Sequence, residues 1–227
     1  MPRAMLFDVD GTLVDSNYLH TVTWWQAFAQ AGYDIPMAAI HRSIGMGSSL
    51  LVDTLLPDDR DKEQDAAIKD SHTALYATYW SRLRPLKGAA DLLRACKSRG
   101  LRVVLASSAD EAEFAQLLRA LDADDAIDAA TFSGDVKRAK PAPDLVQVAL
   151  EKADVPPEQA LFVGDTVWDV KASGKAGVPC VAFRSGGIGR DELTASGAVA
   201  VYDGPADLLP HLGDLLHITK DIPPGCH

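Results

Sequence analysis

The stretch Ala4-Met5-Leu6-Phe7-Asp8-Val9-Asp10-Gly11-Thr12-Leu13-Val14 decides how the rest of the chain is read. Four apolar residues stop at an acid, and Gly11 opens a turn three residues later, the signature of a short buried strand ending in a loop. In an open α/β sheet, ligands bind outside the carboxyl ends of the strands. Side chains two apart on extended backbone share a face, so Asp8 and Asp10 can converge on one ligand. Metal binding and acid/base work are equally open at this point.

Composition narrows the classes. With 227 residues and 47% hydrophobic content, the chain can bury the core of one large domain or two modest ones. A net charge of −10 opposes broad binding to nucleic acid or anionic membrane, which relies on clustered Lys and Arg. A small phosphorylated ligand stays possible, given a metal or local cations. Cys96, Cys180 and Cys226 are too widely spaced for a thiolate zinc site or a disulfide framework. The first apolar run ends at Asp8, too soon for a signal-peptide core, and no run approaches the roughly 18 residues of a membrane span. The expectation is a cytoplasmic monomer or weak dimer. Residues 220–227 are broken by two prolines and read as a frayed tail without function.

Residues 16–84 differ from the remainder. Helical spacing runs through Val22, Trp25, Phe28 and Ala29, then Leu50, Leu51 and Leu55, then Leu75, Tyr76, Tyr79 and Leu83, with no convincing strand. From Arg84-Pro85-Leu86-Lys87-Gly88 onward, helical segments alternate with short apolar runs at 102–106, 130–132, 160–163, 179–183 and 198–202. Such alternation predicts parallel βαβ units. The reading is therefore a doubly wound α/β core of residues 1–15 and 85–227, with an all-helical insertion at 16–84. Turn residues cluster at both borders, as hinges of a lid that closes over substrate and excludes water. The bland alternative is that these helices merely enlarge the core.

Three further strand ends carry chemistry: Ser107-Ser108, Lys140 in Lys140-Pro141-Ala142-Pro143-Asp144, and Gly164-Asp165-Thr166-Val167-Trp168-Asp169. Singly, each has an ordinary reading: Ser107 as a turn residue, Lys140 as a surface ammonium, Asp165 as the N-cap of a helix over 166–176. Their combination, each group following an apolar segment, is harder to obtain by chance.

This ordered set resembles the haloacid dehalogenase-like superfamily, in its helical-cap branch of phosphatases, phosphoglycolate phosphatases and β-phosphoglucomutase-like enzymes. Asp8-Val9-Asp10-Gly11-Thr12 is similar to the first family motif, Ser107 to the second, Lys140 to the third, and the segment from Gly164 to Asp169 to the fourth. The resemblance implies that Asp8, Ser107 and Asp165 meet on neighbouring strands. It implies Asp8 as the nucleophile forming an aspartyl-phosphate, and Asp10 as acid for the leaving alcohol and base for water. Like-charge repulsion between a carboxylate and each unit of phosphate charge is about 4 kcal/mol at ~4 Å and an effective dielectric near 20, which a divalent cation offsets. Oxygen ligands suit Mg²⁺, with the side chains of Asp8 and Asp165, the Asp10 carbonyl, and Asp169 behind them. Ser107, Ser108, Lys140 and exposed amides around Gly11 and Thr12 are expected to hold phosphoryl oxygens.

Within the superfamily, an Asp at position 10 implies a phosphate ester, because dehalogenating members need no protonation of the leaving group. The partner expected is a small phosphorylated metabolite. His20 and Trp24 are similar to residues near the cap hinge of β-phosphoglucomutase-like members, although His20 also reads as an ordinary hinge histidine. The loop of Arg42, Gly45, Met46 and Gly47 resembles the substrate-specificity loop. It lacks, near Ser48, the arginine with which mutases grip a second phosphate, which favours hydrolysis over a sugar phosphomutase; Arg42 is the residue able to replace it. A phosphoacceptor signalling domain is a further rival, but it needs neither a helical insertion nor Asp10-Gly11-Thr12.

Overall fold

The computed structural model describes residues 2–218; the tail at 220–227 and Cys226 lie outside them. Six parallel strands, β1 (Ala4–Phe7), β2 (Arg102–Ala106), β3 (Ala129–Thr131), β4 (Ala160–Gly164), β5 (Cys180–Phe183) and β6 (Ala200–Tyr202), form one sheet in the order 3-2-1-4-5-6. Every expected strand is present. The third begins one residue earlier than read, and the last starts at Ala200, two residues later than read, after a turn at Ser196 and Gly197.

Between β1 and β2 lie α1 (Asn17–Gln30), α2 (Met37–Ser43), α3 (Ser48–Leu55), α4 (Gln64–Ala77) and α5 (Ala89–Ser98). The remaining helices are α6 (Glu111–Leu121), α7 (Asp144–Ala153), α8 (Val167–Lys175), α9 (Arg190–Ala195), α10 (Pro205–Leu208) and α11 (Leu212–Ile218). Alternation along the strands divides the core. Met5, Phe7, Val103, Leu105, Leu161 and Val163 pack with Leu92, Leu93 and Leu117 of α5 and α6 on one face. Ala4, Leu6, Val104 and Phe162 pack with Leu145, Val146 and Val170 of α7 and α8 on the other. Both faces are covered, so β1 is apolar at every position and its run of four hydrophobes is read without alternation.

The helices after β1 have a separate apolar cluster of Trp24, Phe28, Ile40, Leu51, Val52 and Ile68. The buried stripe of α1 differs from the one read in the sequence. It runs through His20, Trp24, Ala27 and Phe28 toward α4, leaving Trp25 39% exposed. Adjacent tryptophans compete for one face, and the i, i+4 partners of His20 and Phe28 settle the choice for Trp24. The chain enters and leaves this region side by side: Val14 and Pro85 form an antiparallel bridge, and Asp15 N–H donates to Arg84 O at 3.0 Å. No helix among the described residues is long and apolar enough to cross a membrane. The basic cluster near α5 is a solvated face, with Arg94 on Asp125 and both Lys97 and Arg102 on Asp128.

Candidate active site

Strand order reverses between β1 and β4, and the loops after both open at this switch point. Asp8 follows β1, its N–H still donating to Val163 O at 2.9 Å, and Asp165 follows β4. Asp8, Asp165 and Asp169 bring carboxylate oxygens within 4.8 Å of one another, all buried. Thr12 Oγ1 donates to Asp8 Oδ2 at 3.1 Å and to Asp165 Oδ1 at 2.8 Å, linking the two loops. Asn17 Nδ2 donates to Asp165 Oδ2 at 2.7 Å. Thr166, not Asp165, caps α8 in a capping box with Asp169, so Asp165 is left to the site.

Lys140 is not a surface ammonium but 1% exposed. Its Nζ lies 2.5 Å from Asp8 Oδ1 and 2.7 Å from Asp169 Oδ1. Burial alone would strip its proton; Asp169 and Asp8 reverse that and hold it above the ordinary lysine range. Burial pushes Asp8 up to about 7 against the pull of Lys140. Asp165 is raised well above the carboxylate range by burial, then by Asp169 and Asp8.

Asp10 faces another environment. Its Oδ1 accepts from Ser16 Oγ at 2.6 Å and lies 3.3 Å from His20 Nε2, while Oδ2 lies 3.5 Å from Ser107 Oγ. Against burial, the His20 hydrogen bond and charge, then Ser16, hold its carboxyl below the usual value. His20 Nε2 also lies 3.2 Å from Glu113 Oε1, and its Nδ1 lies 3.2 Å from His72 Nε2. Despite burial, Glu113 and Asp10 raise His20 to about 10. His72 is pushed well below its ordinary value by burial and by His20.

These groups floor a cleft of about 530 Å³ roofed by Ile44 to Leu51 and lined on the core side by Ser108, Glu113, Lys137 and Lys140. The roof sits directly on the core. A Cβ on Gly47 would lie 2.3 Å from Ala139 Cβ, and one on Gly45, at φ +97, would lie 2.8 Å from Thr166 Oγ1. His41 Nε2 meets Gly186 O at 2.8 Å, and Trp168 Nε1 donates to Arg42 O at 3.1 Å.

Most expected residues are thus brought together: Asp8, Asp10, Ser107, Ser108, Lys140, Asp165 and Asp169 below, and His20, Gly45, Met46 and Gly47 around the cleft. Two expectations are corrected. The Gly11 and Thr12 amides are not open to a ligand, since they donate to Val14 O and Val9 O, and Thr12 Oγ1 serves the two aspartates. Arg42 does not reach into the cleft; its exposed guanidinium pairs with Glu192. Sequence reasoning missed Asn17, His72 and Glu113, whereas the glycine loop from Gly186 to Gly189 reads in the sequence as a turn bordering the site. Gly186 allows the loop after β5 to touch Asp165, whose Oδ2 would lie 1.7 Å from an added Cβ. Asp110-x-x-Glu113, directly after Ser107, was the one available signal, as a helix-start pattern.

The family model of haloacid dehalogenase-like hydrolases matches residues 2–177. The chain belongs to the haloacid dehalogenase-like hydrolases. A phosphoglycolate phosphatase of Rhodospirillum rubrum is 33% identical, covering 94% of this chain and 92% of its own. Among solved structures, a hydrolase from Pseudomonas syringae superposes with a TM-score of 0.89 at 32% identity, over 93% and 98% of the two chains. CbbY from Rhodobacter sphaeroides, solved with xylulose-(1,5)bisphosphate, matches with a TM-score of 0.76 at 26% identity, over 92% and 96%. This hydrolase is a phosphatase of a small phosphorylated metabolite.

The donor set fits the divalent metal that such phosphatases generally use. Three buried carboxylates face one ammonium, leaving surplus negative charge. Asn17 Oδ1 beside them is a buried acceptor without a hydrogen-bond donor, suited to a water on a hydrated ion.

Proposed function

We propose that the enzyme hydrolyses a phosphomonoester through an aspartyl-phosphate at Asp8, with Mg²⁺ held by Asp8 and Asp165. The separation of Asp8 from Asp10 carries this reading. Two carboxylates from one strand end face different partners, one the acidic cluster and Lys140, the other Ser16 and His20. Bound Mg²⁺ supplies positive charge that draws phosphate to the carboxylates and keeps Asp8 ionised.

Asp8 attacks phosphorus, its new O–P bond forming as the bond to the alcohol oxygen breaks. Asp10, ionised in the free enzyme, takes up a proton on Oδ2, toward Ser107, when the negatively charged phosphate binds beside it, and passes that proton to the departing alkoxide. The carboxylate so formed takes a proton from water, which attacks the phosphoryl group, frees inorganic phosphate and restores Asp8. Lys140 and Ser107 steady the phosphoryl oxygens, and Asp169 fixes Lys140. Residues 16–84 act as the cap over 1–15 and 85–227, with Ile44 to Gly47 shaping the far wall of the cleft.

The substrate class is a small phosphorylated acid or sugar phosphate, as the similarity to a phosphoglycolate phosphatase and to CbbY with its xylulose-(1,5)bisphosphate supports. Cytoplasmic location and a monomer or weak dimer complete the proposal. A mutase would have to hold a bisphosphate while it turns over. Arg42, the cation on the cap side for that grip, is turned away onto Glu192. Phosphate release from a metabolite panel, with Asp8→Asn as control, tests the reading. Turnover by the variant equal to wild type would defeat it, as would sugar-phosphate interconversion stimulated by a bisphosphate.

A further inference from the structure

Glu113 stands at the third position of α6, where Asp110 Oδ1 accepts its N–H at 2.9 Å. A glutamate there ordinarily returns the favour and accepts the N-cap N–H, closing a capping box. The box of α8 is closed in this way, by Asp169 and Thr166. That of α6 is half made: the Glu113 carboxylate turns instead across the boundary to His20 on α1, 3.2 Å from Nε2. A local hydrogen bond is left unmade for a contact beside the site.

His20 is gripped on every side. Tyr76 stacks on its face at 3.9 Å between centroids, fixing the ring plane. His72, itself stacked on Trp24 at 4.1 Å, meets Nδ1 at one edge, and Glu113 meets Nε2 at the other. Rotation within the plane is thereby stopped from both edges. The same Nε2 points at Asp10 Oδ1, which also takes the Ser16 hydroxyl. With Oδ1 bound twice, Oδ2 is the oxygen presented to the reacting groups.

We infer that Glu113 is a positioning residue for the acid/base step: from α6 it locks the His20 ring and, through it, the rotamer of Asp10. His20 and His72 come from the helices after β1, Asp10 and Glu113 from the sheet's own loops and helices, so the arrangement is complete only when those helices are seated on the core. This rests on Asp10 as the acid/base group, and that reading has its own control. Asp10→Asn turning over like wild type would remove the foundation, whatever Glu113 does.

Steady-state kinetics on the Mg²⁺-loaded enzyme, with a phosphomonoester found to be turned over, test the inference. Glu113→Ala is expected to lower kcat about 10- to 100-fold, as for a slightly misplaced catalytic group, and to displace the kcat–pH profile. KM is expected to stay within about two-fold. Glu113→Gln keeps an acceptor oxygen for His20 and is expected to recover most of kcat. If Glu113→Ala does not fold, His72→Gln reads the other edge of the ring, with the same displaced profile expected. Wild-type kcat in Glu113→Ala, or no recovery in Glu113→Gln, would overturn the inference. So would kcat falling while KM rises in step with an unmoved profile, which would make Glu113 a docking contact only.

Discussion

Asp165 sits at a position that only a glycine neighbour permits. Gly186 has no side chain, and one added carbon would overlap Asp165 Oδ2 at 1.7 Å and crowd Asn17 Nδ2 at 2.8 Å. Gly186→Ala must therefore displace a carboxylate assigned to the cation. Mg²⁺ affinity, followed by calorimetric titration, is expected to fall roughly 10- to 100-fold, as for disturbed groups supporting a metal ligand. Unchanged affinity would remove Asp165 from the ligand set. The acids at this strand end were legible because each follows an apolar run in the sequence. Glu113 and His72 were not, since they stand 93 and 52 residues from His20 and only tertiary structure unites them. Arg42 was misplaced for a similar reason: Glu192, which holds it, is 150 residues away.

The roof of the cleft is one loop and the start of α3, and its seat depends on small residues. Gly47→Val would drive methyl groups into Ala139, the residue before Lys140. Such overpacking costs about 1–3 kcal/mol, expected, where it falls on the seated loop, as a drop of roughly 5- to 160-fold in kcat/KM. Gly189→Ala, where an added carbon meets nothing within 4 Å, is the matched control. Equal kinetics in the two variants would show that the loop need not seat for turnover. Strands were read well at this scale because both faces of the sheet are covered, so burial alone writes the pattern. The face of α1 was misread at Trp25, because amphipathic spacing does not choose between two adjacent tryptophans; packing against α4 does.

For the whole molecule, surplus buried acid sets how stability answers to pH and metal. Asp8 rises from 3.8 to about 7 on folding, so charging it opposes folding progressively across that interval and fully above it. His20 rises from 6.5 to about 10, so its contribution is fully present below 6.5 and is lost as pH climbs toward 10. Both signs make the cation-free protein weaker in alkali. Mg²⁺ competes with protons for Asp8, so the rise in Tm on adding it is expected to be larger near about pH 8 than near about pH 5. Thermal unfolding at the two pH values checks this, and an equal rise at both would place the ion away from Asp8.

Val14 and Pro85 form a bridge, flanked by the Asp15 N–H on Arg84 O and the Leu86 N–H on Leu13 O. Chain going out and chain coming back are tied side by side, so neither connection can twist without the other. If the helices after β1 act as the cap proposed above, stiffening either connection is expected to slow product release, read as a fall in steady-state kcat with the single-turnover rate unchanged.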